Sequence, residues 1–431
     1  MLAAMPTPPS AVSRDEPVIR DRGDACPGAL RLHAADDGFL ARVRIPGGAL
    51  GARQGELLAV AADRFGDGHL ELTSRGNVQL RGLAAGCGAG LGELLDAAGL
   101  LPAPAHERVR NIVATPTSPA VLPWVRELDR LLCANTRVTA LSGRFLFALD
   151  DGRGDVAALE PDVTVLGRPD APGERVLVRL GSAAGAVAVA SRDAPRAALL
   201  AAEYFLDAVD AAGTRAWRVG ELPGQYRLEE GVFAARLTGA GIGAAVVEAV
   251  EWPYAAPPAP GAGDPLCVLP PFGRLSTAQW RVLVRLAEGD GMRITPWRTV
   301  ILPDAGGPDR LDLLREAGLA FSPDTAWRSV TACAGQPGCA KSRADVRADA
   351  RALVERTRGE LPVHWSGCER RCGHPRGTRW VDVLAAEDGG AYRLSVQGRE
   401  WDRPADLAAA LSAARATTSE PQPDTDPAVK K

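Results

Sequence analysis

Between residues 37 and 50 the chain reads DGFLARVRIPGGAL, with apolar and polar side chains alternating up to a Gly-Gly turn. Period-two alternation turns one set of side chains toward a core and predicts a strand. A helix is predicted near 51–64, and HLELTSRGNVQLRGL (69–83) is a strand pattern broken at Gly76, with Arg75 at the break. A second helix over 88–100 closes on Gly99. Strand, helix, strand, helix predicts a small α/β sandwich with its helices on one sheet face. The order then returns. Residues 265–303 contain a strand, a helix beginning near Ser276 and a strand in MRITPWRTVIL, and a helix from Asp309 to Ala317 ends at Gly318. Leu72-Thr73 matches Ile294-Thr295, and Val78 matches Val300. VRNIVATP (109–116) likewise matches WRSVTACAG (327–335), which sets Arg110 opposite Arg328 and Thr115 opposite Cys333. The chain reads as two copies of one design joined by WPYAAPPAPGAGD (252–264), a Pro- and Gly-rich linker.

Toward the carboxyl end, Ser342-Arg343-Ala344-Asp345 reads as a capping box with Asp in place of Glu, starting a helix whose stripe is Val346, Ala350, Leu353 and Val354. A strand over 361–365 leads into Gly367-Cys368; further strands lie near 379–384 and 391–396, and 404–415 is helical. Residues 1–19 and 416–431 are expected to be disordered tails.

Composition narrows the function without fixing it. At 431 residues, 46% apolar, 24% charged and with a formal net charge of −3, the chain has the make-up of an ordinary multi-domain globular protein. That charge balance offers no bulk attraction for nucleic acid. No run of about 18 apolar residues predicts a membrane span. The amino terminus lacks the basic start and apolar core of a secretory signal, so a cytoplasmic, reducing setting is expected. Cysteines clustered in such a setting point to metal or to chemistry more than to disulfides. Lysine occurs only at 341, 430 and 431, which makes Lys341, two residues past Cys339, stand out.

Four of the eight cysteines fall within forty residues, as Cys333 and Cys339, then Cys368 and Cys372. Unligated burial fits such concentration poorly. Structural zinc favours pairs two to four residues apart, and the gap holding Gly335 and Gly338 is wide for one knuckle. A cubane iron-sulfur cluster is larger, takes four spread thiolates and uses glycines to bring backbone amides near its sulfurs. The spacing favours the cluster.

This C-x5-C and C-x3-C pattern resembles the cluster signature of the sulfite and nitrite reductase superfamily. The resemblance runs over about residues 20–412 and implies an α+β fold in which duplicated ferredoxin-like half-domains are each followed by a sulfite/nitrite-reductase-like α/β half, related by a pseudo-two-fold. It divides the chain into a first ferredoxin-like half (20–105), a first tetrapyrrole-binding half (106–251), a linker and second ferredoxin-like half (252–325), and a second half carrying the 4Fe-4S motif (326–415). It also implies that Cys372 bridges the cluster to a sirohaem iron. Arg75 in LTSRGNVQL matches the family's first active-site arginine, and Arg110 in VRNIVATP its second. The family's third element, LPRKFK, appears here as LSGRFLF (141–147), with Arg144 for the first lysine and Leu146 for the second. Reducing an inorganic oxyanion needs charge and protons at that point, and leucine supplies neither.

One branch that departs in this way resembles the chain further: the precorrin-3B synthases, in RGDACPGALRLHAADDGFLARVRIPGG (22–48) and LDDGRGDV (149–156). That resemblance implies oxygen-dependent hydroxylation of precorrin-3A at C20 with γ-lactone formation, using dioxygen and NAD(P)H or a separate reductase, a 4Fe-4S cluster and a mononuclear non-haem iron. The alternative is a sirohaem nitrite or sulfite reductase. A precorrin bears many carboxylates, which guanidinium forks suit. Candidates are Arg75, Arg110 and Arg144 as catalytic residues, and those three with Arg81 and Lys341 for binding substrate; Arg108, Arg328 and Arg343 are weaker. His33, His69, His106, His364 and His374 name no iron ligands. Asp150, Asp151 and Asp155 read first as a hairpin loop, with positioning of a proton or an iron as the alternative; Cys26, Cys87, Cys133 and Cys267, scattered singly, read as small buried hydrophobes, with approach to the substrate as the alternative for Cys26. The glycines of GAGIGAAVVEAV (239–250) lack the register of a phosphate loop.

Overall fold

The computed structural model describes residue 24 and residues 26–167, 174–287, 289, 291–303, 307–375, 379–388, 390–396 and 399–416. The tail expected over 1–19, and all but Ala416 of that expected over 416–431, lie outside the described residues. Contacts divide the chain into two units: one holds the residues up to Ala34 and Gly38–Ser322, the other Ala35–Asp37 and the residues from Pro323 onward.

In the first unit, strands β1 (His33–Ala35), β2 (Gly38–Val43) and β3 (Ala49–Leu50) precede helix α1 (Ala52–Phe65), strands β4 (His69–Leu72) and β5 (Val78–Leu83), and helix α2 (Gly88–Ala97). A second region follows: β6 (Ile112–Ala114), α3 (Leu122–Ala134), β7 (Phe147–Asp150), β8 (Val163–Leu166), β9 (Arg175–Leu180), β10 (Ala186–Ala190), α4 (Ala194–Ala212), α5 (Glu230–Gly239) and β11 (Ala244–Val247). Then β12 (Leu266–Val268), β13 (Arg274–Ser276), α6 (Thr277–Leu286), β14 (Met292–Ile294), β15 (Val300–Leu302) and α7 (Pro308–Glu316) repeat the opening order. The second unit holds β16 (Val330–Ala332), α8 (Val346–Leu353), β17 (Val363–Ser366), β18 (Val381–Ala385), β19 (Tyr392–Val396), β20 (Arg399–Asp402) and α9 (Leu407–Arg415).

The duplication is detailed down to single torsions. In the first copy the Pro-Gly-Gly turn at 46–48 sets Gly47 at φ 61° and Gly48 at φ 66°; in the second the Pro-Phe-Gly turn at 271–273 sets Phe272 at 59° and Gly273 at 69°. The two turns serve one purpose, the crossing of a short strand into the other copy. Strand β13 pairs with β4, Leu275 opposite Leu70, while β3 pairs with β14, Leu50 opposite Met292. The sheets run β1-β2-β5-β4-β13 and β12-β15-β14-β3. Gly48 is required at this crossing because a Cβ there would stand 1.9 Å from the Ile294 carbonyl oxygen. Helix α6 starts where Ser276 and Gln279 form a capping box, Ser276 accepting from the Gln279 N–H at 3.2 Å. Its fully buried Trp280 donates to the Gly55 carbonyl of α1 at 2.8 Å; burying that side chain stabilises the fold by roughly 3 kcal/mol.

The sheets after each copy also correspond. In the order β6-β7-β8-β9-β10-β11 the first three strands are parallel and the rest antiparallel; β16-β17-β18 are parallel and β19 and β20 antiparallel. Three sequence expectations change. Helix α2 stops at Ala97 rather than 100, its last carbonyls taken by the Ala98 and Gly99 amides. Helix α8 is capped by Asp345, which accepts from the Ala348 N–H, whereas Ser342 donates to the Ala344 carbonyl. Residues 150–157 form no hairpin, because β7 and β8 are parallel and need a crossover between them.

Candidate functional site

In the first unit, the β4–β5 turn carries Arg75. Thr73 Oγ1 accepts from the Asn77 N–H at 3.1 Å, and Gly76 takes φ 65°. The second copy repeats the turn with Thr295, Thr299 and Arg298 at φ 61°, and has Trp297 where the first has Arg75. Arg75 donates to the Gly143 carbonyl at 3.3 Å. Burial, then the charges of Arg218 and Arg44, pull its pKa down to about 10. Arg44, 2% exposed, donates to the same carbonyl at 3.2 Å, and burial also lowers its pKa. Gly143 allows this approach: a Cβ there would press to 3.0 Å on the Cys26 sulfur. Cys26 is half-buried. The turn before Gly143 is fixed by Asp24, which accepts from the amides of Cys26 and Gly143 and from the Ser142 hydroxyl. Although burial opposes it, these bonds and Arg108 hold the Asp24 carboxyl below the usual carboxylate range.

The candidates therefore divide. Arg75 belongs to this guanidinium group and Arg108 borders it through a 3.4 Å ion pair with Asp24. Arg144 is exposed, with its guanidinium 4.9 Å from the Trp217 ring centre. Arg218 pairs with Asp162, which also accepts from the Leu146 amide at 2.8 Å. Arg110 is only 4% exposed and spends its fork on Asp129 at 2.7 and 2.8 Å and on the Leu100 carbonyl. Against the pull of burial, Asp129 raises its pKa. Arg110 and Asp129 line a cavity of about 390 Å3 with Gln54, Arg126 and Arg293. Arg81 is half-buried on β5. Arg42, Arg44 and Arg218 were missed by sequence reading; the signal for the first two is the R-V-R spacing, which puts both on one face of an extended chain.

After β7, Asp150 accepts four backbone N–H groups, those of Gly152, Gly154, Val156 and Ala157. Asp155 accepts from Thr115 at 2.9 Å and from its neighbour's amide, while its Oδ2 is buried without a partner among the described residues. Burial, then the charge of Asp150, push its carboxyl up to about 6. Asp151 is tied to Arg153.

In the second unit, Cys333 leaves β16 and Cys368 follows β17 by two residues, so the parallel pairing opens both loops at one end of the sheet. The Cys333 amide donates to the Trp365 carbonyl at 2.9 Å, as the Thr115 amide does to Leu149 in the first unit. The Gly367 amide donates to the Cys333 sulfur at 3.3 Å. Burial raises the Cys333 thiol, the Gly367 and Gly335 amides pull it back, and Cys368 and Cys372 push it further up. Three thiols thus lie within electrostatic reach, and Cys339 sits in the same loop as Cys333. Amide donors at sulfur and glycines at the loop mouths fit an iron-sulfur cluster's needs. Among the described residues, no three His, Cys, Asp or Glu side chains are drawn together as ligands of one ion. The Cys368–Cys372 turn is held by Arg371, at φ 47°, which bonds Asp382 and Glu369. Arg343 donates to the Ala385 carbonyl; Lys341 and Arg328 are exposed.

No histidine is set as an iron ligand. His364 is buried against the Thr331 hydroxyl at 2.8 Å, and His374 bonds the Pro375 carbonyl and stacks on Trp380. His106 bonds the Asn135 carbonyl and His69 the Asp67 carbonyl, while His33 is exposed.

Comparisons with known proteins agree with the duplication. Residues 32–86 and 263–319 each match the nitrite/sulfite reductase ferredoxin-like half domain. A ferredoxin–nitrite reductase of Synechococcus elongatus is 30% identical over 389 residues, 78% of this chain and 74% of that one. A precorrin-3B synthase of a Sinorhizobium species is 25% identical over 415 residues, 88% and 83% of the two chains. The solved structure of Mycobacterium tuberculosis NirA superposes with a TM-score of 0.62 at 19% identity, over 87% of this chain and 79% of that one, a likeness of fold.

Proposed function

Since the chain belongs to the nitrite/sulfite reductase family, a family of oxidoreductases, we propose that it is a precorrin-3B synthase, hydroxylating precorrin-3A at C20 with dioxygen and closing a γ-lactone. The observation that carries this reading is Leu146. Where the family resemblance expects a lysine, Leu146 is 3% exposed, in an apolar cluster with Val113, Ala148 and Val156. An oxyanion losing oxygen there would meet neither a cation nor a proton donor. The guanidinium group around Gly143 supports a substrate bearing several carboxylates. In this reading Arg75 and Arg144 of the first unit bind acetate or propionate arms, Arg81 adds charge on β5, and Arg110, locked on Asp129, holds the backbone between α2 and β6 in place; Lys341 is the candidate cation for substrate in the second unit. The match to a precorrin-3B synthase over 88% of this chain supports the same reading.

Cys333, Cys339, Cys368 and Cys372 would hold a 4Fe-4S cluster, which supplies one-electron transfer when bound. The residues around them keep the loops in form: Gly367 and Gly335 donate to sulfur and Arg371 anchors the second turn. A mononuclear iron finds no gathered ligand set among the described residues. Electrons come from NAD(P)H or a separate reductase.

The second reading, a sirohaem nitrite or sulfite reductase, is favoured by the 30% identity to a ferredoxin–nitrite reductase. Anaerobic incubation of the purified protein with precorrin-3A, then oxygen and mass detection, separates the two. One oxygen atom gained with lactone closure is the expected outcome. Sirohaem bands in the visible spectrum with turnover of nitrite or sulfite, and no oxygenated precorrin, would overturn the proposal.

A further inference from the structure

Arg44 presents an electrostatic problem. Its guanidinium is buried, yet its polar bonds among the described residues go to two carbonyls, Arg108 and Gly143, and to the Cys26 sulfur at 3.3 Å. Its Nη1 is buried with no partner among the described residues, as is the Nε of Arg42. Arg42 donates to the same sulfur at 3.7 Å and to Gln79 at 3.0 Å. Asp24 is spoken for by Arg108, Ser142 and two amides. The Asp24 carboxylate lies within electrostatic reach of Arg44, but no carboxylate bonds that guanidinium among the described residues, and buried arginines are normally bonded by one. The group standing where that partner should be is Cys26.

Cys133 provides the contrast inside the same molecule. It too is half-buried beside an arginine, Arg110, but that arginine is already neutralised by Asp129. Burial, then Asp129, raise the Cys133 thiol.

We propose that Cys26 is a modification site, a nucleophilic thiol that hydroperoxides oxidise to a sulfenate, whose oxygen is received by the unpartnered N–H groups of Arg44 and Arg42. The Cys26 sulfur gives an electron pair to one peroxide oxygen, forming the S–O bond as the O–O bond breaks. The other oxygen departs with its substituent and takes up the thiol proton, leaving as an alcohol, or as water when the oxidant is hydrogen peroxide; the sulfenic acid then gives its proton to solvent to become the sulfenate. Sulfur loses two electrons and the peroxide gains them. Since Arg75 and Arg44 share the Gly143 carbonyl, oxidation places a new anion in the group that holds Arg75. The inference does not depend on the precorrin reading.

The test treats the full-length protein with hydrogen peroxide in the presence of dimedone and follows each cysteine by mass spectrometry. Cys26 is expected to label about tenfold faster than Cys133, as thiols bonded by guanidinium groups that no carboxylate bonds do. In Arg44→Gln and Arg42→Gln its rate should fall toward that of Cys133. Labelling of Cys26 no faster than Cys133, or unchanged in a folded Arg42→Gln protein, would overturn the proposal. Should Arg44→Gln fail to fold, the wild-type ranking and Arg42→Gln decide it.

Discussion

Asp155 carries a cost that pH exposes. Its folded-state pKa of about 6 lies above the ordinary 3.8, so between those values the folded chain binds more protons than the unfolded one. The contribution of Asp155 to stability therefore falls as pH rises from about 4 to 6, by on the order of 3 kcal/mol for a two-unit shift. Asp150 and Arg153 are the charged groups that shape this titration. Asp155→Asn should match wild type near pH 4 and be more stable above pH 6. Urea melts at the two pH values measure it, and an equal difference at both would assign the cost elsewhere. The residue also shows how position and partner separate. Thr115 and Cys333 occupy the same place after corresponding strands, yet the loop beyond β7 offers a carboxylate and the loop beyond β17 a thiol.

At the scale of elements, two parallel strands bring two cysteine loops to one sheet end, and the prediction lies in those loops. Cys339→Ser should reduce iron and labile sulfide per chain on the order of tenfold or more, with oxygenation of precorrin falling alongside. Metal content, read before any assay, keeps the cluster reading separate from activity; a variant with wild-type iron and sulfide would remove Cys339 from the ligands. Much of this layer is legible in sequence. Alternation in FLARVRI, the Ser276 cap and the twin turns at Thr73 and Thr295 all express local rules, and local rules are what periodicity reads. What escaped is non-local. Strands of two and three residues, β3 and β13, leave no periodic trace. Nor does the parallel pairing of β7 with β8, which alone excludes a hairpin at Asp150. Asp345 rather than Ser342 caps α8 because Ser342 spends its hydroxyl on the Ala344 carbonyl. The place of Arg75 at the β4–β5 turn was legible from the break at Gly76. The locking of Arg110 on Asp129 was not, since the partner lies on α3, a separate element.

The two ferredoxin-like halves belong to one contact unit, and each completes the other's sheet. A fragment ending at residue 251 would lose β13 and expose the edge of β4, an aggregation hazard. Produced alone it should be insoluble or melt without cooperativity, whereas the two pieces cut within 252–264 and produced together should recover a soluble complex. Co-purification of the pieces, with a single calorimetric transition, checks this; a first piece that melts sharply by itself would refute it.

The reciprocal crossing of β3 and β13 has a further consequence for the connecting segment. In a fold that exchanges strands between copies, the connection acts mainly as a tether that sets the effective concentration of one copy near the other, which varies only as a modest power of its length. Lengthening the tether is cheap while trimming a crossing strand is dear, so natural variation in this chain should accumulate between the copies rather than at the Pro-Gly-Gly turn.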